Sequence, residues 1–193
     1  MAHQYLSFES EPIMVGNFIA DTVRGRELES YAKSVREGIL LHRFIDTFTD
    51  SHPIPLKSRS RLYSYFGKYA AVVQDVFYDH LLASEWESYH SETLGRFTEF
   101  VYAVLGKNQT VFNERAKRTF HYMSTQDWLK GYSTMEGIDR ALTGLSSRAS
   151  FHSGMDRSVP ALERHEKELR EDFAEFFPQL EEAARKEWNK IQE

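Results

Sequence analysis

Hydrophobic residues recur at intervals of three and four along almost the whole chain, and no stretch alternates apolar and polar residues convincingly. Intervals of three and four place side chains on one face of an α-helix, whereas alternation marks a strand. The chain is therefore expected to be all-α. Breakers are few, with 10 Gly and 5 Pro in 193 residues. No low-complexity stretch, Pro/Ser linker or repeat at a solenoid period interrupts the pattern. The length suits one core in a single domain, residues 1–193.

The pattern divides into roughly seven to nine helices. The first runs from Pro12 to Val23 and the second from Glu29 to Asp50, ended by Ser51-His52-Pro53. Leu56 to Tyr65 and Tyr69 to Ser84 follow, with Gly67 between them. Further helices span Glu92 to Leu105, Thr110 to Tyr122, a short Thr125 to Gly131 with Thr125 as its cap, and Met135 to Ser147. Ala149 to Ser158 reads as a loop. Pro160 to Glu193 reads as helix interrupted or kinked at Phe177-Pro178, with a structural stripe of Leu162, Leu169, Phe173, Phe176 and Leu180.

Composition excludes several classes. With no cysteine, the chain has no disulfide scaffold, Cys-ligated zinc, iron–sulfur cluster or thiol nucleophile. A formal net charge of −5 argues against broad nucleic-acid binding. No apolar run approaches the ~20 residues of a membrane span, and Met1 to Glu11 does not read as a signal peptide. A cytoplasmic protein without membrane association is expected. No Gly-x-Ser-x-Gly elbow points to a serine hydrolase.

Three helices carry titratable residues on otherwise apolar stripes. In the second, Val35, Ile39, His42, Asp46 and Asp50 share one side, flanked by Leu41, Phe44, Ile45 and Phe48. The fourth repeats the arrangement with Val72, Asp75, Asp79 and Leu82, beside His80. The first has Asn17 and Asp21 among Ile13, Met14, Phe18 and Ile19. Buried carboxylates need a partner. Arg24, Arg43 and Arg140 can neutralise some, and a divalent cation held between facing helices would satisfy more. Mixed imidazole and carboxylate donors suit Mn, Fe, Ni or Zn, and oxygen-rich sets suit Mg or Mn. Each stripe alone also reads as a solvated face or a hydrogen-bonded structural histidine.

The segments Gly16-Asn17-Phe18-Ile19-Ala20-Asp21, His42-Arg43-Phe44-Ile45-Asp46-Thr47-Phe48-Thr49-Asp50 and Asp75-Val76-Phe77-Tyr78-Asp79-His80 occur in the order found in the acyl carrier protein phosphodiesterase family, which this sequence resembles. Ala2-His3-Gln4-Tyr5-Leu6 looks like a clipped form of that family's opening motif. Trp128-Leu129, Gly137-Ile138, Leu142, Ser146-Ser147-Arg148 and Phe176-Phe177-Pro178 extend the resemblance over nearly the whole chain.

The resemblance implies a helical bundle like that of HD-domain phosphohydrolases, although the contiguous His-Asp dipeptide of ordinary HD enzymes is missing. It implies metal-dependent removal of 4′-phosphopantetheine from holo-acyl carrier protein. The metal would be Mn²⁺, with Mg²⁺ or Fe²⁺ as alternatives. Asp21, His42, Asp46 and Asp79 would be catalytic metal ligands. Asp50, Asp75 and His3 would be further ligands or groups behind them, and His80 a ligand or proton shuttle. Arg43 and Arg148 would contact phosphate. Arg24, Arg26, Lys57, Arg59, Arg61 and Lys68 would offer a basic patch to the acidic carrier protein. Two rival readings are an HD-like hydrolase of a nucleotide or small phosphoester, and a non-catalytic helical binding protein.

Overall fold

A computed structural model describes residues 1–192, so Glu193 at the end of the expected last helix lies outside the described residues. Ten α-helices, joined by short loops and 3₁₀ turns, make up the structure, and no strand occurs among the described residues. They are α1 (Ala2–Tyr5), α2 (Glu11–Ile19), α3 (Lys33–Ser51), α4 (Pro53–Phe66), α5 (Ala70–Ser84), α6 (Leu94–Lys107), α7 (Glu114–Thr125), α8 (Trp128–Gly131), α9 (Met135–Ser146) and α10 (Val159–Gln192).

The pairing of α2 with α3 organises the fold. Gly16 and Gly38 meet at this crossing. A Cβ on Gly16 would sit 2.3 Å from the Val35 carbonyl oxygen and 2.6 Å from the Gly38 Cα. Only glycine lets the two backbones come this close. The crossing brings Asp21, just beyond α2, beside His42 on α3.

Between α3 and α4 lies a single residue, His52, whose extended backbone precedes Pro53. Proline disfavours helix in the residue before it, yet suits the first turn of the next helix. The His52 Nδ1 caps α4 by accepting from the Ile54 N–H at 3.3 Å. Gly67, at φ 51°, ends α4 where a residue with a side chain would be strained.

Helix α10 packs along α3, α4 and α5. Phe173, Phe176 and Phe177 are fully buried with Phe77, Ile39, Leu41 and Leu62 in one continuous core. Each such side chain contributes about 1.5–3 kcal/mol on burial. A polar clamp supplements this contact. Buried Asp172 accepts hydrogen bonds from Ser58 at 2.6 Å, from Lys57 at 3.0 Å and from Arg61, all on α4.

Three expectations need correction. α10 runs without interruption through Pro178, because flanking phenylalanines are locked in the core and packing outweighs the lost backbone hydrogen bond. The short helix begins at Trp128, not Thr125, and Thr125 instead closes α7 by donating to the His121 carbonyl at 2.7 Å. Helix α1, too short to show periodicity, was not anticipated. No helix is long and apolar enough to cross a membrane.

Candidate active site

Helix α1 is held by its neighbours rather than by its own propensity. Asn17 on α2 donates through Nδ2 to the His3 carbonyl at 3.0 Å and to Ser7 Oγ at 2.8 Å. The Ala2 N–H and the Met1 amino group donate to Asp79 on α5 at 2.9 and 2.6 Å. These contacts set the His3 imidazole against that of His42, with ring centroids 3.9 Å apart and planes 19° from parallel.

Both imidazoles turn Nε2 toward Asp46. The His3 Nε2 lies 3.2 Å from Asp46 Oδ1, and the His42 Nε2 lies 3.2 Å from Asp46 Oδ2. Asp21 approaches the same His42 nitrogen at 3.4 Å. The Asp46 carboxylate therefore bridges two rings, and His42 lies between two carboxylates.

Around this cluster lies a cleft of about 390 Å³. Asp21, Asp46, Asp50, Asp75 and Asp79 all line it. Its other wall is apolar, formed by Ile45, Tyr78, Phe173, Phe176, Phe177 and Leu180. Asp50 is paired with Arg59 at 2.7 Å. Asp75 has no ion-pair partner among the described residues. Negative charge is therefore in surplus.

The surplus moves the proton affinities. Burial opposes charge on His42, but the Asp21 and Asp46 carboxylates outweigh it and raise its pKa to about 9. Burial and the charge on His42 push His3 down. Burial favours a neutral Asp46, yet contacts with His3 and His42 overcome it and hold this carboxyl well below the usual range. Desolvation by the cleft walls, then the neighbouring Asp79 carboxylate, push Asp75 up to about 7, although part of its surface stays open to solvent.

The donor set fits a divalent cation. One donor atom each from His3, His42 and Asp46 lie within 4.8 Å of one another, and Asp21 adjoins them. Two imidazole nitrogens with carboxylate oxygens suit a first-row divalent metal. Both Nδ1 atoms are buried without a hydrogen-bond partner. The rings are oriented by stacking on each other, rather than by an acceptor behind them as metal-bound histidines usually are.

Of the anticipated residues, Asp21, His42, Asp46, Asp79, Asp50, Asp75 and His3 all line one cleft. His80 does not. Adjacent residues on a helix point about 100° apart, and its Nδ1 lies 2.8 Å from the Tyr132 carbonyl oxygen. Arg43 reaches the Val23 carbonyl at 3.2 Å, bracing the loop after α2. Arg148 lines a different hollow, between α8 and α9. The expected basic patch is largely consumed internally. Lys57 and Arg61 serve Asp172 and Arg59 serves Asp50, while Lys68 lies 3.8 Å from the centre of the Phe151 ring. Arg24 and Arg26 remain exposed. Tyr78, Phe177 and the part of the α10 stripe facing the cleft were not anticipated as site residues. Their hydrophobic periodicity reads only as core.

Fold and site together define an all-helical protein with a histidine–aspartate cleft whose donor set fits a divalent cation. The family model described as acyl carrier protein phosphodiesterase matches residues 1–180. Among curated proteins bearing that name, the Serratia proteamaculans protein is 28% identical over 186 residues, covering 96% of both chains. The Salmonella paratyphi A protein is 30% identical over 188 residues, covering 96% of this chain and 97% of its own. That of Escherichia coli O139:H28 is 30% identical over 183 residues, covering 93% and 94%. No solved structure matches significantly. The chain belongs to the acyl carrier protein phosphodiesterase family, a family of phosphoric diester hydrolases.

Proposed function

We propose that this chain hydrolyses the phosphodiester linking 4′-phosphopantetheine to a serine of holo-acyl carrier protein, releasing apo-carrier protein and 4′-phosphopantetheine. The observation that carries the reading is the meeting of His3, His42, Asp21 and Asp46 at one end of a cleft whose other wall is apolar. Family membership supports the same substrate.

In this reading water adds to phosphorus, the bond from phosphorus to the serine oxygen breaks, and that oxygen takes up a proton. A divalent cation, Mn²⁺ first with Mg²⁺ or Fe²⁺ as alternatives, held by His3, His42, Asp46 and Asp21, would supply positive charge for the phosphoryl oxygens. Asp79 and Asp50 line the same cleft and complete its negative field. Desolvation and the neighbouring Asp79 carboxylate raise the proton affinity of Asp75, and in this reading Asp75 holds a proton and delivers it to the leaving oxygen. The buried Phe173, Phe176 and Phe177 back the apolar side of the cleft and keep water out on that side, where the pantetheine chain would lie. Of the cations first expected to receive the carrier protein, Arg24 and Arg26 remain most available, because Lys57, Arg59 and Arg61 have internal partners.

A side-by-side assay of holo-carrier protein and free nucleotides with Mn²⁺ tests this choice of substrate. Loss of the prosthetic arm without nucleotide hydrolysis is expected. Nucleotide hydrolysis with an intact carrier would favour the rival phosphohydrolase. Neither reaction, with no metal retained, would favour a helical binding protein.

A further inference from the structure

A second hollow, of about 180 Å³, opens between α8 and α9 and shares no lining residue with the cleft. It is preformed. A Cβ on Gly137 would fall 1.8 Å from the Gly131 carbonyl oxygen, so the two short helices touch backbone to backbone. The indole of Trp128 forms part of the wall and is held by its Nε1–H donating to Gln126 Oε1 at 2.9 Å. Tyr132 forms another part, its carbonyl tied to His80. Gly144 lies in the lining, and a Cβ there would meet nothing within 4 Å. Glycine inside a helix is less favourable than alanine, and here it leaves space open.

Two arginines complete the lining. The Arg148 Nε donates to the Gly144 carbonyl at 2.9 Å, which anchors the guanidinium beside the hollow. Arg140 stands on α9 and Arg148 in the turn just beyond its end, and both line the hollow. Neither pairs with a carboxylate among the described residues. An aromatic and aliphatic interior with two uncompensated guanidiniums matches a ligand with an apolar body and an anionic head.

We infer that this hollow binds a small amphiphilic anion, a carboxylate or a phosphate on an aromatic or aliphatic body, independently of the acidic cleft. A guanidinium fork accepts either head group. The cleft itself, lined by five aspartates, disfavours any anion in the absence of a cation.

The test is calorimetric titration of the full chain with 1-naphthoate and, separately, 1-naphthylphosphonate, neither of which can be hydrolysed. Saturable binding of at least one probe at a single site is expected, and the probe that binds identifies the head group. Gly144→Leu should abolish binding by filling the hollow, with the melting temperature retained. Replacing Arg140 and Arg148 together by alanine should weaken binding about tenfold or more. Should Gly144→Leu fold poorly, the double arginine variant decides. Failure of both probes to saturate the native chain would overturn the inference. So would native affinity in the arginine variant or in a folded Gly144→Leu.

Discussion

The imidazole of His3 lies flat on that of His42, 39 residues later, and both rings direct Nε2 to the same carboxylate, Asp46. Two stacked rings this close do not both become imidazolium. The environment separates them, lowering His3 and raising His42 to about 9. At neutral pH the metal-free cluster therefore holds one imidazolium, His42, whose Nε2 proton lies between Asp21 and Asp46.

That proton must leave before His42 can bind a cation through Nε2. Adding Mn²⁺ to the metal-free protein in weak buffer at pH 7 should release about one proton per site. The apparent affinity should rise about tenfold per pH unit up to pH 9. A pH-stat or indicator titration measures the release. Affinity that does not change with pH would remove His42 from the ligand set.

The same shift makes metal-free stability depend on pH. Because the folded pKa of His42 lies above its ordinary value of 6.5, its contribution is full below pH 6.5 and is lost as pH rises toward 9. Asp75 also acts against stability as pH rises, since its folded pKa of about 7 exceeds 3.8 and ionisation is penalised in the fold. Asp75→Asn should thus raise the melting temperature of metal-free protein more at pH 8 than at pH 5, while lowering turnover. Equal effects at both pH values would mean that Asp75 is not shifted upward.

The glycine crossing is expected to tolerate no side chain. Gly16→Ala places its methyl group 2.3 Å from the Val35 carbonyl oxygen, on rigid backbone. Overpacking of this kind costs about 1–3 kcal/mol, and separating α2 from α3 also draws Asp21 away from His42. A lower urea midpoint together with reduced metal affinity is expected. Unchanged values would show that the helices can part without effect on the cluster.

Asp172 should matter for stability more than a surface acid would. Asp172→Ala removes the acceptor of Ser58, Lys57 and Arg61 together. A loss of about 2–3 kcal/mol in urea unfolding is expected, at the upper end for hydrogen bonds to a charged group. Because the neighbouring Phe173 and Phe176 form part of the cleft wall, turnover should fall as well. A change below about 0.5 kcal/mol, typical of a surface substitution, would reduce the clamp to an ordinary surface pair.

What could be read in advance follows a physical division. Stripes at helical spacing brought Asp46 and Asp50 on α3, and Asp75 and Asp79 on α5, to one cleft, because a helix fixes which of its residues share a face. Contacts distant in sequence were less legible. Lys57 looked like a free surface cation, since its partner Asp172 lies 115 residues away. His80 belonged to an anticipated motif but faces Tyr132, because one step along a helix changes the face. At Pro178 local rules give an interruption or a kink, and core packing keeps the helix uninterrupted. The His3–His42 stack arises only when Asn17 and Asp79 pin a four-residue helix that has no periodicity of its own.

The proposed activity is a metal-supported phosphodiester cleavage at the His3–His42–Asp46 cluster. Intact-mass analysis of holo-acyl carrier protein, incubated with the native chain and Mn²⁺, tests it most directly. Complete conversion to the mass of the apo-carrier protein is expected, with chelation abolishing it and Asp46→Asn, still folded by circular dichroism, slowing it by about a hundredfold or more. A holo-carrier protein that keeps its mass with the native chain, or loses its arm equally fast with Asp46→Asn, would contradict the assignment.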